Sequence, residues 1–362
     1  MTKEEFKAFF ESQCIPADLP FDEIAKRWST INNNLDTILP SKLYRFRKIK
    51  RDEEGKDYVL DSLKNKTIST CSASCFSDKY DALCYFDENK VWDLIVKLIN
   101  KDTVQDFQTM VENGVYPDSL PNILMPLILR NSQKIRDISA EDAVWQLRRI
   151  IASSPIKESI VKTLRNSMDF LRNDNTTQIA CFTENVRSKF MWDMYADGYK
   201  GFALEYDFSG IPLMFSLLAL PNETTHSALL PVFYSDERYD LSNYCIESFI
   251  IERYIATGIE SLKPILNNID LLDLCRPYLY KSTEYSREKE WRLICKWGDR
   301  NNKYANIVDF DKLKAIYYGP EISWSDREEL HEIAINRELK EYNVRINYSS
   351  KSYDLDIEEV EN

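Results

Sequence analysis

The segment Ile179 to Phe208, IACFTENVRSKFMWDMYADGYKGFALEYDF, leaves a folding chain little choice. Ile179 to Thr183 is a short apolar, β-favouring run. After the polar break at Glu184 and Asn185, Phe190, Met191, Met194 and Tyr195 recur at helical spacing. Trp192 and Tyr195 lie three apart and share a flank of that helix. Gly198 closes it, and Gly201 opens a strand in which Phe202, Leu204, Tyr206 and Phe208 alternate with Ala203, Glu205 and Asp207. The expectation is strand, helix, strand with almost no slack, the last strand aromatic on one face and acidic on the other.

The flanking chain supplies helices first. Residues 2–39 read as two helices, one carrying Phe6, Phe9 and Phe10, the other Phe21, Ile24, Trp28, Ile31 and Leu35. Past Pro40, Leu43 to Arg47 reads as a strand with Arg45 and Arg47 on one face and Tyr44 and Phe46 on the other. Two arginines on a strand near the core need an anion or carboxylates, and an ion pair at a strand end is the ordinary way to meet that need. A short helix over Asp57 to Asn65, a strand over Lys66 to Ser72 and a shaped polar loop from Ser72 to Asp81 follow. From Asn89 to Asn173 the pattern is helical and punctuated by Pro117, Pro121, Pro126 and Pro155.

Beyond the central segment, Leu229 to Tyr234 reads as a strand, Tyr244 to Thr257 and Ser261 to Leu274 as helices, and Ser286 to Cys295 as a strand. In that last strand Glu288, Glu290 and Arg292 share a face, which sets the two carboxylates about 7 Å apart. Pairing with Arg287, Lys289 and Arg292 in a solvated charge ladder is the competing reading. A strand, a helix and a strand end the pattern at Leu313 to Tyr318, Ser325 to Arg337 and Val344 to Tyr348, and the acidic tail from Asp354 is expected to fray. The organisation expected is N-terminal helices over 1–40, a first core part over 41–87, a helical insertion over 88–175, a second core part over 176–350 and an acidic tail over 351–362.

Composition removes several function classes. A net charge of -12 argues against a broad nucleic-acid surface. Eight glycines in 362 residues, with neither GxGxxG nor GxxxxGK[ST], argue against a Rossmann or P-loop nucleotide site. His226 and His331 are the two histidines, and HExxH and paired CxxC motifs are absent, so no metal is expected. Lacking a clustered set of metal-spaced carboxylates, the chain is a poor nuclease as well. Eight scattered cysteines are expected to be reduced and mostly buried, and the lack of an apolar leader or an apolar run of about 18 residues points to a soluble, cytoplasmic protein without membrane contact.

Four segments resemble a large, mostly bacterial family called domain of unknown function 2971: LYRFR at 43–47, SASCFSDKYDAL at 72–83, IACFTENVRSKFMWDMYADGYKGFALEYD at 179–207 and KSTEYSREKEWRLI at 281–294. The second departs from the family's Asn-Asp-Pro-Phe-Asp, having Ser77-Asp78-Lys79-Tyr80-Asp81, though Asp78 and Asp81 are kept. More distantly, the order of segments resembles the ADP-ribosyltransferase fold, with its poly-ADP-ribose polymerase and DarT-like branches. That resemblance implies an α+β fold with a bent, split β core, elaborated by the helical insertion and N-terminal helices.

It also implies NAD as substrate. Arg45 or Arg47 would then bind the pyrophosphate; Phe182, with Ser188, Trp192 and Tyr195, would form the nicotinamide side. Glu290 would face the ribose 2′-hydroxyl, and Glu288 would orient the acceptor nucleophile. The activity implied is ADP-ribosyl transfer to a protein or nucleic-acid acceptor, or NAD hydrolysis, in bacterial defence or a toxin system. The reading from a different class is a nucleotide- or partner-binding module that keeps the pocket without turnover.

Overall fold

In the computed structural model the structure describes residues 1–16, 19–113, 137–152, 155, 157–158, 161–162, 165–166, 172–173, 175–209, 227–244, 270–296, 302–308 and 312–361. Its helices begin where side chains cap them. In α1 (Lys3–Ser12) the Thr2 hydroxyl accepts from the Glu5 N–H and Glu5 reaches back to the Thr2 N–H, a capping box that satisfies two orphan donors. Phe6 and Phe10 are its buried face. α2 (Phe21–Leu35) buries Trp28, Ile31 and Leu35, as their spacing requires. Asp57 caps α3 (Tyr58–Lys64), and Asp87 caps α4 (Glu88–Leu98), which precedes α5 (Lys101–Glu112) and a helix at Ala140–Ile151. The rest of the expected insertion includes 114–136, and that range, with the expected helix after Tyr244 and most of the one before Leu274, lies outside the described residues.

The strands are β1 (Leu43–Arg47), β2 (Thr67–Cys71), β3 (Thr177–Thr183), β4 (Phe202–Tyr206), β5 (Ser227–Pro231), β6 (Phe233–Ser235), β7 (Tyr280–Ser282), β8 (Glu290–Lys296), β9 (Tyr304–Val308), β10 (Leu313–Tyr318), β11 (Lys340–Ile346) and β12 (Leu355–Glu359). One mixed sheet runs β12-β11-β10-β4-β1-β3-β2-β9, with β8 pairing β3 and β5 pairing β8. A short parallel pair, β6 and β7, stands beside it. The molecule is therefore α+β, with helices on a large open sheet.

What positions the site is a fork at β3. Along one edge β3 pairs with β8 over its whole length, from Thr177↔Lys296 to Thr183↔Glu290. Along the other it meets β1 at Tyr44↔Thr183 and β2 at Cys71↔Ile179. β1 and β2 splay from that edge, and Arg45 spans the wedge, its Nη2 donating to the Ser69 carbonyl at 2.6 Å. The pleat sends Leu43, Leu204, Tyr206 and Ile316 into one core and Tyr44, Phe46, Ala203 and Tyr317 into a second on the opposite face. The close approach that makes this possible lies at Gly201, where a Cβ would fall 2.1 Å from the Arg47 carbonyl.

On the acidic face of β4 Glu205 is buried, accepting from the Tyr317 hydroxyl at 2.5 Å and lying 3.0 Å from Lys42 Nζ. Several expectations are corrected. The strand expected over Leu229 to Tyr234 divides after Pro231, which has no N–H to continue the ladder. The acidic tail is a paired strand rather than a frayed end, because Leu355 and Ile357 give β12 an apolar face on the second core. Among the described cysteines, all free thiols, only Cys275 and Cys295 are buried, so "mostly buried" is too strong. No described helix is long and apolar enough to cross a membrane.

Candidate functional site

The strand expected from Ser286 starts four residues late, with consequences for both glutamates. Thr283–Glu288 is a 3₁₀ turn, Lys289 takes a left-handed conformation at φ 45°, and β8 begins at Glu290. Glu288 and Glu290 therefore do not share a strand face by alternation. The left-handed residue turns the chain so that both carboxylates point inward, 3% and 4% exposed. A solvated charge ladder is thus excluded, because neither carboxylate is solvated.

Both glutamates converge on Lys281 of β7. Its Nζ lies 2.5 Å from Glu288, 2.9 Å from Glu290 and 3.5 Å from Asp81. Arg292, fully buried, closes the group: Nε meets Glu290 at 2.7 Å, Nη2 meets both Asp81 oxygens at 2.8 Å, and Nη1 donates to the Tyr278 carbonyl at 2.6 Å. The Tyr195 hydroxyl donates to Glu288 at 2.6 Å, and the Tyr234 hydroxyl accepts from the Glu290 N–H at 2.8 Å.

These surroundings push the two glutamates apart. Burial works to raise Glu290, but Arg292 and Lys281 outweigh it and hold its carboxyl well below the usual range. Burial raises Glu288, Lys281 opposes it, and the charge of Glu290 adds to the rise, so its carboxyl lies above the usual range. Burial and the charge of Glu288 lift the Tyr195 phenol, which stays a donor. The lone pairs differ too. Among the described residues Glu290 accepts from Arg292 twice and from Lys281, which takes three of the four lone-pair sites of a carboxylate; Glu288 accepts from Tyr195 and Lys281, which leaves about half of its capacity open.

A cleft of about 310 Å³ opens at the fork and is lined by Arg45, Arg47, Phe182, Tyr195, Glu288 and Glu290 among others. Six of the eight residues expected at a site thus meet in one cavity. Ser188 and Trp192 do not line it. Ser188 caps the helix Lys189–Tyr195, and Trp192 lies wholly in the second core, edge-on to Phe46 at 5.0 Å with its Nε1 donating to the Val186 carbonyl. The shared flank of Trp192 and Tyr195 therefore divides, one ring into the core and one, 39% exposed, into the cleft. A second cavity of about 390 Å³ adjoins the first, and Asp78, Lys281 and Tyr285 belong to the walls of both.

The cleft is also lined by a cation that stands outside this group. Arg45 is 8% exposed, stands 5.8 Å from the Phe182 ring, and its Nε has no hydrogen-bond partner. Among the described residues no carboxylate pairs with it, and burial pulls its pKa down. The ordinary ion pair at a strand end is absent. A buried cation left in this way costs stability, so Arg45→Met, which keeps the volume and loses the charge and one hydrogen bond, is expected to leave unfolding free energy within about 1 kcal/mol of wild type. Urea unfolding of the variant checks this.

Residues 191–293 match the model of the family described as Protein of unknown function (DUF2971). The resemblance to DUF2971 is borne out there. Tyr195, Lys281, Glu288, Glu290 and Arg292 lie inside the DUF2971 match, and Arg45, Asp81 and Phe182 lie before it. No curated protein and no solved structure matches the chain. Sequence reasoning missed Lys281 and the linking role of Asp81. Asp81 and Arg292 are 211 positions apart, a separation at which no local periodicity reports contact, and the one available hint was that both fall in segments resembling DUF2971.

Proposed function

We propose that the cleft binds NAD at its nicotinamide end and cleaves the bond between nicotinamide and ribose, passing ADP-ribose to an acceptor or to water. The observation that supports this reading best is the cleft's polarity. Asp81, Glu288 and Glu290 outnumber Lys281 and Arg292 in one group, while Arg45, lining the same cleft, has no counter-ion among the described residues. Oxidised nicotinamide mononucleotide has the matching pattern, a cationic ring one sugar away from a phosphate. Tyr195, half-exposed in the cleft beside Glu288, offers a face for the planar ring. A volume near 310 Å³, at the low end for small-molecule sites, suits that half of NAD, the adenosine half lying outside.

In the reaction the C1′–N1 bond breaks and its electron pair stays on the ring nitrogen, releasing neutral nicotinamide. The ribose carbon passes through an oxocarbenium-like state, and the oxygen of water or acceptor bonds to it and loses its proton. A buried carboxylate with open lone pairs beside the ribose lowers that barrier. The open capacity of Glu288 favours it for this contact, with Glu290 as the fixed charge beside it. The likeness to the ADP-ribosyltransferase order of segments, and a β core that forks at β3, support the same reading.

The test is nicotinamide release from NAD by the purified protein, alone and with cell extract or nucleic acid as acceptor. Oxidised NAD is expected to raise the thermal midpoint and to bind about tenfold more tightly than the reduced form, whose ring carries no charge. Equal binding of the two forms overturns the polarity argument, and no release together with no thermal shift overturns the NAD reading. A second reading, binding without turnover, is favoured by the hold of Arg292 and Lys281 on Glu290, and it predicts a thermal shift with no release.

A further inference from the structure

Lys281 has a role that pairing alone does not explain. Arg292 already pairs with both Glu290 and Asp81, through four contacts at 2.7 to 3.3 Å. For those two carboxylates Lys281 is a second cation. For Glu288 it is the sole one among the described residues, at 2.5 Å, and the other hydrogen bond to that carboxylate comes from a neutral phenol, Tyr195. Lys281 is 8% exposed, its ammonium sits 4.8 Å from the centre of the Tyr285 ring, and the residue lines both cavities. Its position is fixed by β7, paired in parallel with β6 through Tyr234↔Lys281.

We propose that Lys281 is the positioning residue for Glu288: it holds that carboxylate ionised and aimed at the cleft, against burial and against the neighbouring charge of Glu290. The role as a general base or ribose contact rests on the NAD reading, whereas the effect on ionisation does not. The groups facing Glu288 are Tyr195 from the helix Lys189–Tyr195, Asp81 from the loop after β2, Tyr234 from β6, Lys281 from β7, Tyr285 from its own turn, and Glu290 with Arg292 from β8. Of these, only Lys281 places a positive charge on Glu288 directly. Without it, two carboxylates share one buried region, the arrangement in which one of them binds its proton far more tightly.

The experiment follows the Glu288 carboxyl by carbon-13 NMR during a pH titration, the resonance being assigned by its loss in Glu288→Gln. In Lys281→Met the titration midpoint is expected to rise by at least one pH unit, so that Glu288 is about tenfold less ionised, or more, at pH values well below the wild-type midpoint. Lys281→Arg keeps the charge and should titrate near wild type. Lys281→Gln keeps donors for the same carboxylates, and it carries the measurement if the methionine variant does not fold. A Glu288 midpoint unchanged in the uncharged variants overturns the proposal. On the pH profile of nicotinamide release, the ascending limb should move by the same amount. A shifted NMR midpoint in a protein that neither releases nicotinamide from NAD nor gains a thermal shift with it leaves the role of Lys281 standing and overturns the NAD reading alone.

Discussion

Arg292→Met is expected to lower unfolding free energy by about 3–5 kcal/mol, the usual result of removing one partner from a buried ionic group. Against a typical total of about 5–15 kcal/mol, that brings the protein close to unfolding at 37 °C. Arg292 has no solvent exposure, and its guanidinium spans Asp81, Glu290 and the Tyr278 carbonyl. Methionine fills the space but leaves Asp81 and Glu290 sharing Lys281. Lysine is not a substitute either, since a point charge cannot reproduce the fork.

The pH dependence of that loss separates lost charge from lost packing. In the wild type Glu290 titrates below its unfolded value, so its contribution is present above the unfolded pKa and disappears as pH falls through the folded one. Glu288 is raised, so its contribution is present below the unfolded pKa and is lost as pH rises through the folded one. In Arg292→Met the buried carboxylates move upward and gain stability on protonation. The difference between variant and wild type should therefore be larger at pH 8 than at pH 5, as read by urea midpoints. A difference independent of pH would assign the loss to packing.

Arg45 and Arg292 show how far the sequence could be read. Both lie on strands that local pattern identifies, and the face on which Arg45 and Arg47 stand is a consequence of alternation. Whether an arginine is neutralised is a long-range property. Arg292 meets Asp81 across 211 positions, while Arg45 meets a carbonyl 24 positions away and no described carboxylate, and nothing local distinguishes the two. The strand, helix and strand from Ile179 to Tyr206 were legible because each apolar period is unbroken. The start of β8 was not, because a charged lysine in a left-handed conformation leaves no trace in an alternating pattern. Trp192 and Tyr195 went different ways for a similar reason: spacing fixes their common flank, but only the position of β1 decides which ring it covers.

Glu288→Gln is expected to reduce nicotinamide release from NAD by about a hundredfold or more while leaving the thermal shift with oxidised NAD largely intact. The amide keeps the shape and still accepts from Tyr195, but it carries no charge to face a positive ribose. Glu290→Gln should behave differently. Its carboxylate is held by Arg292 and Lys281, so losing its charge weakens the pairing of two buried cations, which keep Asp81 and Glu288, and lowers the unfolding midpoint, and release falls in proportion to folded protein. Activity per folded molecule, with folding followed by circular dichroism, tells the two apart. The opposite result, with release lost in Glu290→Gln and kept in Glu288→Gln, would make Glu290 the ribose-facing carboxylate. Release lost in neither would leave both glutamates as counter-ions of Lys281 and Arg292 alone, because a carboxylate that stabilises the transition state cannot be neutralised without cost to the rate.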